Sequence, residues 1–294
     1  MAAQSVDPGH PFTERTPRVA AARHLTRRSG RLAAGRFLAE GAQAVREALA
    51  WAAAGKGAVH ELFVTAVAVD RNPDLVQAAQ AASVPVSEIT DRAAASLSET
   101  VTPQGVLAVC DLVDQSVGVA LAGAPLLVAV LYGVADPGNA GTVLRVADAA
   151  GADAVLLVGD TVDPHNGKCV RASAGSLFHL PIARTRQPAD ALAACRAAGL
   201  LLIAAAGNAV DDLDMATDAG ELAAPTAWVF GSEAHGLPAD VLTSVDKVLS
   251  VPIHGLAESL NLATAAAVCM YTTARAQRYT NRQVSRRRPM GPVS

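Results

Sequence analysis

PLLVAVLYGV, residues 125–134, is the stretch on which the fold turns. A strand with one wet face alternates apolar and polar residues, whereas this run is apolar at nearly every position and reads as a strand covered on both sides. Four more runs of the same kind follow: AVLLVG (154–159), LLIAAAG (201–207), TAWVFG (226–231) and KVLSVPI (247–253). Helical stretches separate them, so the expected class is α/β, with a parallel sheet between helices over residues 125–280. The last segment, Ser259 to about Tyr279, reads as one long helix with Leu262, Ala266, Met270 and Thr273 at helical spacing.

Working back from that sheet, residues 20–113 form a smaller alternating α/β unit. GRFLAEGAQAVREALAWAAAG (35–55) reads as a short strand, a glycine at Gly41 and an alanine-rich helix with Val45, Leu49 and Ala52 on one face. Next come VHELFVTAVAV (59–69) as strand, PDLVQAAQAA (73–82) as helix, PVSEIT (85–90) as strand, DRAAASLSE (91–99) as helix and QGVLAVCDLV (104–113) as strand. Residues 114–124, without a strong pattern, are the expected linker. Residues 1–19 and 281–294 are polar and aperiodic, an expected disordered arm and a tail.

The 294 residues are 51% apolar and only 3% aromatic, which suits helices on sheets better than a β-sandwich. The formal charge of -3 hides an uneven distribution, with arginines crowding both ends and acidic residues lying between them. Arginine-rich ends fit either solvated tails or phosphate contacts, and charge alone does not choose. Cys110, Cys169, Cys195 and Cys269 lie far apart without metal-ligand spacing, so reduced buried thiols and no metal are expected. No apolar run nears the ~20 residues of a membrane span and no signal-peptide pattern opens the chain, which predicts a cytoplasmic protein.

Ligands of open parallel sheets bind beyond the carboxyl ends of the strands. Three loops there stand out. Ala135–Arg145 carries glycines, Asn139 as a helix cap, and Arg145 almost two turns into the helix; Ser232–Leu237 is a tight polar turn carrying Glu233; His254–Asn261 sets Ser259 and Asn261 around Leu260. Singly, each also reads as ordinary capping or turn chemistry.

Together, NAGTVLRVA (139–147), VFGSEAHGL (229–237) and VPIHGLAESLNL (251–262) resemble, in order and spacing, the three motifs of the SpoU/TrmH RNA methyltransferases. KCVRASAGSLFHLPI (168–182) fits the same family, and GRFLAEGAQAVREAL (35–49) is similar to the ribosomal-protein-like RNA-binding domain that many members carry. The resemblance implies a trefoil knot in the parallel-sheet domain, S-adenosylmethionine as cofactor, a homodimer, and methylation of a ribose 2′-hydroxyl, with ribosomal RNA favoured over transfer RNA. By position it implies Arg145, Glu233, Ser259 and Asn261 as the catalytic group and Gly231, Val251 and Leu260 as cofactor contacts. Asn139, Arg171, Arg23, Arg27 and Arg28 are the implied or charge-based RNA contacts. Ile253 with His254 departs from the family, where methionine followed by a small residue is common.

A free guanidinium titrates near pH 13, so holding it neutral at pH 7 costs about 8 kcal/mol, and Arg145 reads better as a clamp on phosphate and ribose than as a base. Glu233 is the expected orienting partner. Rival classes lack their motifs: there is no GxGxxG after a strand, no phosphate-binding GxxxxGK[ST] loop, and Ser173 has arginine where a hydrolase elbow needs glycine. A non-catalytic RNA-binding protein of the same fold remains the alternative of a different class.

Overall fold

The computed structural model describes residues 10–287. By contact density the chain forms two compact units. Of the described residues, the first unit comprises 10–113 together with Pro137–Arg145 and Asp163–His179, and the second comprises Asp114–Asp136, Val146–Val162 and 180–287.

In the first unit, strands β1 (Arg36–Glu40), β2 (Val59–Val64), β3 (Val86–Glu88) and β4 (Val106–Asp111) form a sheet in the order β1-β4-β2-β3. β4 runs antiparallel to both neighbours and β3 parallel to β2. Gly41, at φ 98°, turns the chain from β1 into helix α1 (Ala42–Ala53), which buries Val45, Ala48 and Leu49. One core gathers Val19, Ala22, Leu25, Leu38, Phe63, Ile89, Leu97 and Leu107.

The first unit corrects two expectations. Residues 10–19 are not a disordered arm: Phe12 bridges to Ile89, a helix starts at Pro17, and Val19 is buried, because short apolar residues here find a sheet to cover. Residues 1–9 lie outside the described residues. VHELFVTAVAV is a strand only to Val64; Thr65 then accepts a hydrogen bond from the Ala68 N–H and caps a helix over Ala66–Arg71.

The second unit holds an all-parallel sheet of eight strands: β5 (Asp114–Gln115), β6 (Leu127–Tyr132), β7 (Ala154–Val158), β8 (Ile182–Thr185), β9 (Leu201–Ala205), β10 (Asp211–Asp212), β11 (Thr226–Phe230) and β12 (Lys247–Ser250). Their order is β10-β12-β9-β11-β6-β7-β8-β5. All five residues of β7 and of β11 are buried, as runs apolar on both faces require.

Residues 114–124, expected as a linker, contain β5 and a short helix capped by Ser116. Asp114 anchors that edge, its carboxylate accepting from Arg184 at 2.7–2.8 Å.

Helix α2 (Pro137–Ala150) follows β6, helix α3 (Gly167–Ser173) lies between β7 and β8, and helix α4 (Leu262–Arg287) closes the described chain. α4 begins at Leu262 rather than at Ser259 and continues past the expected boundary at 280, so part of the expected tail is helix; residues 288–294 lie outside the described residues. Its buried face carries Ala266, Met270 and Thr273. Trp228 on β11 donates to Thr273 Oγ1 at 2.9 Å, and the Gln277 amide donates to the carbonyls of Leu126 and Ala224. The four cysteines are buried; burial pushes the Cys195 thiol up to about 11 and the Cys269 thiol up to about 12. Among the described residues no helix is long and apolar enough to cross a membrane.

Candidate functional site

Within the second unit, the carboxyl ends of neighbouring β6 and β11 carry two touching loops. Glu233, exposed after β11, accepts a hydrogen bond through Oε2 from the Ala135 N–H after β6, at 3.4 Å. The turn that presents Glu233 is closed by two backbone bonds, from Ser232 N–H to the Gly236 carbonyl at 3.2 Å and from Gly236 N–H to the Ser232 carbonyl at 2.9 Å. His235 N–H adds a bond to Ser232 Oγ at 3.3 Å. Gly236 supplies the left-handed backbone that this turn needs, at φ 63°.

Gly231 is held tighter still. A Cβ on it would stand 2.3 Å from the Gly236 carbonyl carbon and 2.6 Å from the Leu237 nitrogen, both rigid main chain. Only glycine lets β11 run into the turn at this separation.

Beyond β12, residues 251–261 have no regular structure, with Val251 half-buried and Ser259 and Leu260 exposed. Among the described residues, no backbone hydrogen bond ties residues 252–260 to other main chain. Their N–H and C=O groups thus stand beside exposed Ile253, Leu256 and Leu260. Free main-chain polar groups next to apolar side chains, at the carboxyl edge of a parallel sheet, are the donor set that suits a nucleoside-like cofactor such as S-adenosylmethionine.

Asn261 ends this loop as the N-cap of α4, its Oδ1 accepting from Ala263 N–H at 2.9 Å and Thr264 N–H at 3.4 Å. Among the described residues no three His, Cys, Asp or Glu side chains gather as a metal site would need.

The remaining residues singled out in the sequence fall in the first unit. α2 begins at Pro137, so Asn139 stands in its first turn and is not its cap. Arg145 is exposed two turns on, at the last position of α2 that belongs to the first unit. Arg23, Arg27 and Arg28 are exposed around the first helical turns, whereas Arg31, crowded with them in the sequence, is buried. Arg171 donates to buried Glu40 at 2.6 Å, a structural ion pair.

Sequence reasoning passed over the polar loop after β7. There Asp163 takes Arg31 on one carboxylate oxygen, at 2.7 and 2.9 Å, and His165 on the other. Burial alone would raise the Asp163 carboxyl, but the hydrogen bonds from His165 and Arg31 and the charge of the Arg31 guanidinium outweigh it and hold the group well below the usual carboxylate range. Asp160, Asp163, His165 and Asn166 so close after an apolar strand were the available signal.

The model of the SpoU rRNA Methylase family matches residues 126–271, and that of the MRM3-like substrate binding domain matches residues 16–108. A 23S rRNA (guanosine(2553)-2′-O)-methyltransferase of Bacillus subtilis is 33% identical over 240 residues, which cover 80% of this chain and 87% of the relative. The AdoMet-bound rRNA methyltransferase of Sinorhizobium meliloti superposes with a TM-score of 0.75 at 28% identity, covering 90% of this chain and 97% of that one. The SpoU methyltransferase AviRb of Streptomyces viridochromogenes, in complex with AdoMet, gives 0.74 at 28% identity, with 90% and 99% covered.

Proposed function

This chain belongs to the SpoU rRNA methylase family, and from that premise we propose that it methylates a ribose 2′-hydroxyl of ribosomal RNA with S-adenosylmethionine as donor, in the cytoplasm and as a homodimer. The observation that carries this reading is the loop set at the carboxyl edge of the all-parallel sheet, formed by the motif-bearing segments 231–237 and 251–261.

When bound, the cofactor supplies a methyl carbon made electrophilic by its sulfonium. Gly231, Val251 and Leu260 are assigned to hold it, largely through main chain. The RNA must then be oriented so that its 2′-oxygen meets that carbon in line, and orientation of this kind is worth several kcal/mol of barrier. Exposed Arg145 is assigned as the clamp on the adjoining phosphate and ribose, with Asn139 six residues earlier on the same helix assigned a further RNA contact. Glu233, Ser259 and Asn261 are assigned the remaining polar contacts to the substrate, and the hydroxyl proton passes to the RNA phosphate or to water.

The last helix exposes Val268, Tyr271 and Tyr279, and the loop before it exposes Ile253, Leu256 and Leu260; this apolar surface supports the homodimer. The trefoil threading of the last segment is part of the same proposal.

Incubation with methyl-labelled cofactor and, separately, ribosomal and transfer RNA tests the assignment. Alkali-resistant ribose methylation in ribosomal RNA is expected. Transfer only to transfer RNA would move the substrate, and cofactor-independent RNA binding without turnover would reduce the protein to a binding module. Arg145→Ala is expected to abolish turnover while calorimetry shows cofactor affinity unchanged.

A further inference from the structure

The first unit joins residues far apart in the chain to the helix that carries Arg145. Arg31 is 3% exposed and Asp163 is 5% exposed, and the guanidinium reaches Asp163 Oδ2 through Nε at 2.9 Å and Nη2 at 2.7 Å. The remaining arm of Arg31 donates to the carbonyls of Leu25 and Thr26, at 3.1 and 2.9 Å. Arg31 therefore fastens the turn that bears exposed Arg23, Arg27 and Arg28 to the loop that follows β7.

Asp163 passes the constraint on. Its Oδ1 accepts from His165 N–H at 3.1 Å and lies 3.2 Å from His165 Nδ1. His165 Nε2 accepts the Val113 N–H at 3.1 Å, so Nε2 carries no proton and Nδ1 is the ring donor to Asp163. The Asp163 carbonyl accepts from Asn166 N–H at 2.9 Å, and the Asn166 side chain caps α3 at Lys168 N–H, also at 2.9 Å. α3 in turn is the seat of α2: a Cβ on Gly141 would lie 2.4 Å from the Cys169 carbonyl oxygen and 2.7 Å from the Ala172 Cβ. Backbone meets backbone there, one helical turn before Arg145.

We infer that Arg31 and Asp163 are a positioning pair for Arg145, setting α3 through its cap and thereby the seat of α2. The inference rests on Arg145 acting at the reacting ribose, as proposed above. Nothing in the path is soft. A buried pair joined by two hydrogen bonds to one carboxylate oxygen, a histidine fixed in one tautomer, a capped helix and a glycine contact transmit a displacement of the loop to Arg145.

Steady-state kinetics on the full-length protein with its RNA tests this. Asp163→Glu keeps the charge and lengthens the side chain by one methylene, and Gly141→Ala wedges α2 from α3 at the other end of the path. Both are expected to lower kcat between about ten- and a hundredfold, the loss that a misplacement near 1 Å brings, with KM for RNA and cofactor affinity within about twofold of the parent. Arg31→Lys, which keeps a paired cation, is expected to retain more kcat than Arg31→Met. If Asp163→Glu does not fold, Gly141→Ala and Arg31→Lys carry the test.

Folded variants with full kcat would overturn the inference, as would a rise in KM together with a shallower salt dependence, which would make the pair part of the RNA contact. Arg145→Ala measured in parallel separates the two levels: normal turnover in that variant removes the proposed role of Arg145, whereas an inactive Arg145→Ala beside fully active Asp163→Glu and Gly141→Ala removes the positioning pair alone.

Discussion

Gly231 and Arg31 mark the two ends of what a residue reveals about itself. A glycine closing an apolar strand inside a family motif signals close approach, and the 2.3 Å that a Cβ would leave to Gly236 bears this out. Overpacking of that kind costs ~1–3 kcal/mol, so Gly231→Ala should weaken cofactor binding about ten- to a hundredfold in calorimetry, with RNA affinity retained. Arg31 was hidden. Beside it, Leu32 would ordinarily be taken as the core residue, yet Leu32 is 55% exposed and Arg31 is 3% exposed. The reason, Asp163, stands 132 residues away and has no local trace. Asp163→Asn should destabilise the fold by about 3 kcal/mol at neutral pH, since it weakens the hold on a buried guanidinium. The Asp163 carboxyl is depressed in the folded state, so the ionised form contributes its stability above the unfolded value near pH 4 and that contribution fades as pH falls below it. Denaturant titrations across pH 2–7 should therefore show a flatter acid limb in Asp163→Asn than in the parent.

At the scale of elements, the sequence was legible where burial repeats and mute where elements are short. β6, β7, β9 and β11 announce themselves because both faces are covered and nearly every position is apolar. β5 and β10, two polar residues each, are too brief for any period, and β8 pairs two buried apolar residues with Arg184 and Thr185. The end of β2 was missed because TAVAV is as apolar as a strand, and only the Thr65 cap turns it into helix. The start of α4 shows how one residue can belong to an element and to chemistry at once. Asn261 caps the helix, and a lost cap costs about 1 kcal/mol, so Asn261→Ala should lower thermal stability by that amount. Asn261→Asp keeps the capping oxygen and should restore stability, but it replaces an amide donor with a charge that repels RNA phosphate. Methyl transfer should therefore stay low in Asn261→Asp; full turnover there would leave Asn261 only its structural role.

For the whole molecule, net charge misleads and placement decides. The chain carries a formal charge of -3, yet Arg23, Arg27 and Arg28 are exposed within a few residues of one another on the unit matched by the substrate-binding model. Deleting residues 1–36 would not isolate their effect, because Val19 and Leu25 belong to the core of that unit and would be lost with them. Changing the three arginines to glutamine leaves the core intact and removes only charge. Arginines paired with phosphates release condensed counterions, and each such contact contributes ~0.7–0.9 to the slope of log affinity against log salt. If all three touch phosphate, the triple variant should bind RNA with a slope shallower by about 2 to 3 and with lower affinity at low salt. Cofactor affinity should not move, since Gly231, Val251 and Leu260 lie in the other unit. Fluorescence titration of labelled RNA from 50 to 300 mM salt distinguishes the outcomes, because an unchanged slope would mean that these arginines only keep the surface solvated and that RNA is gripped elsewhere.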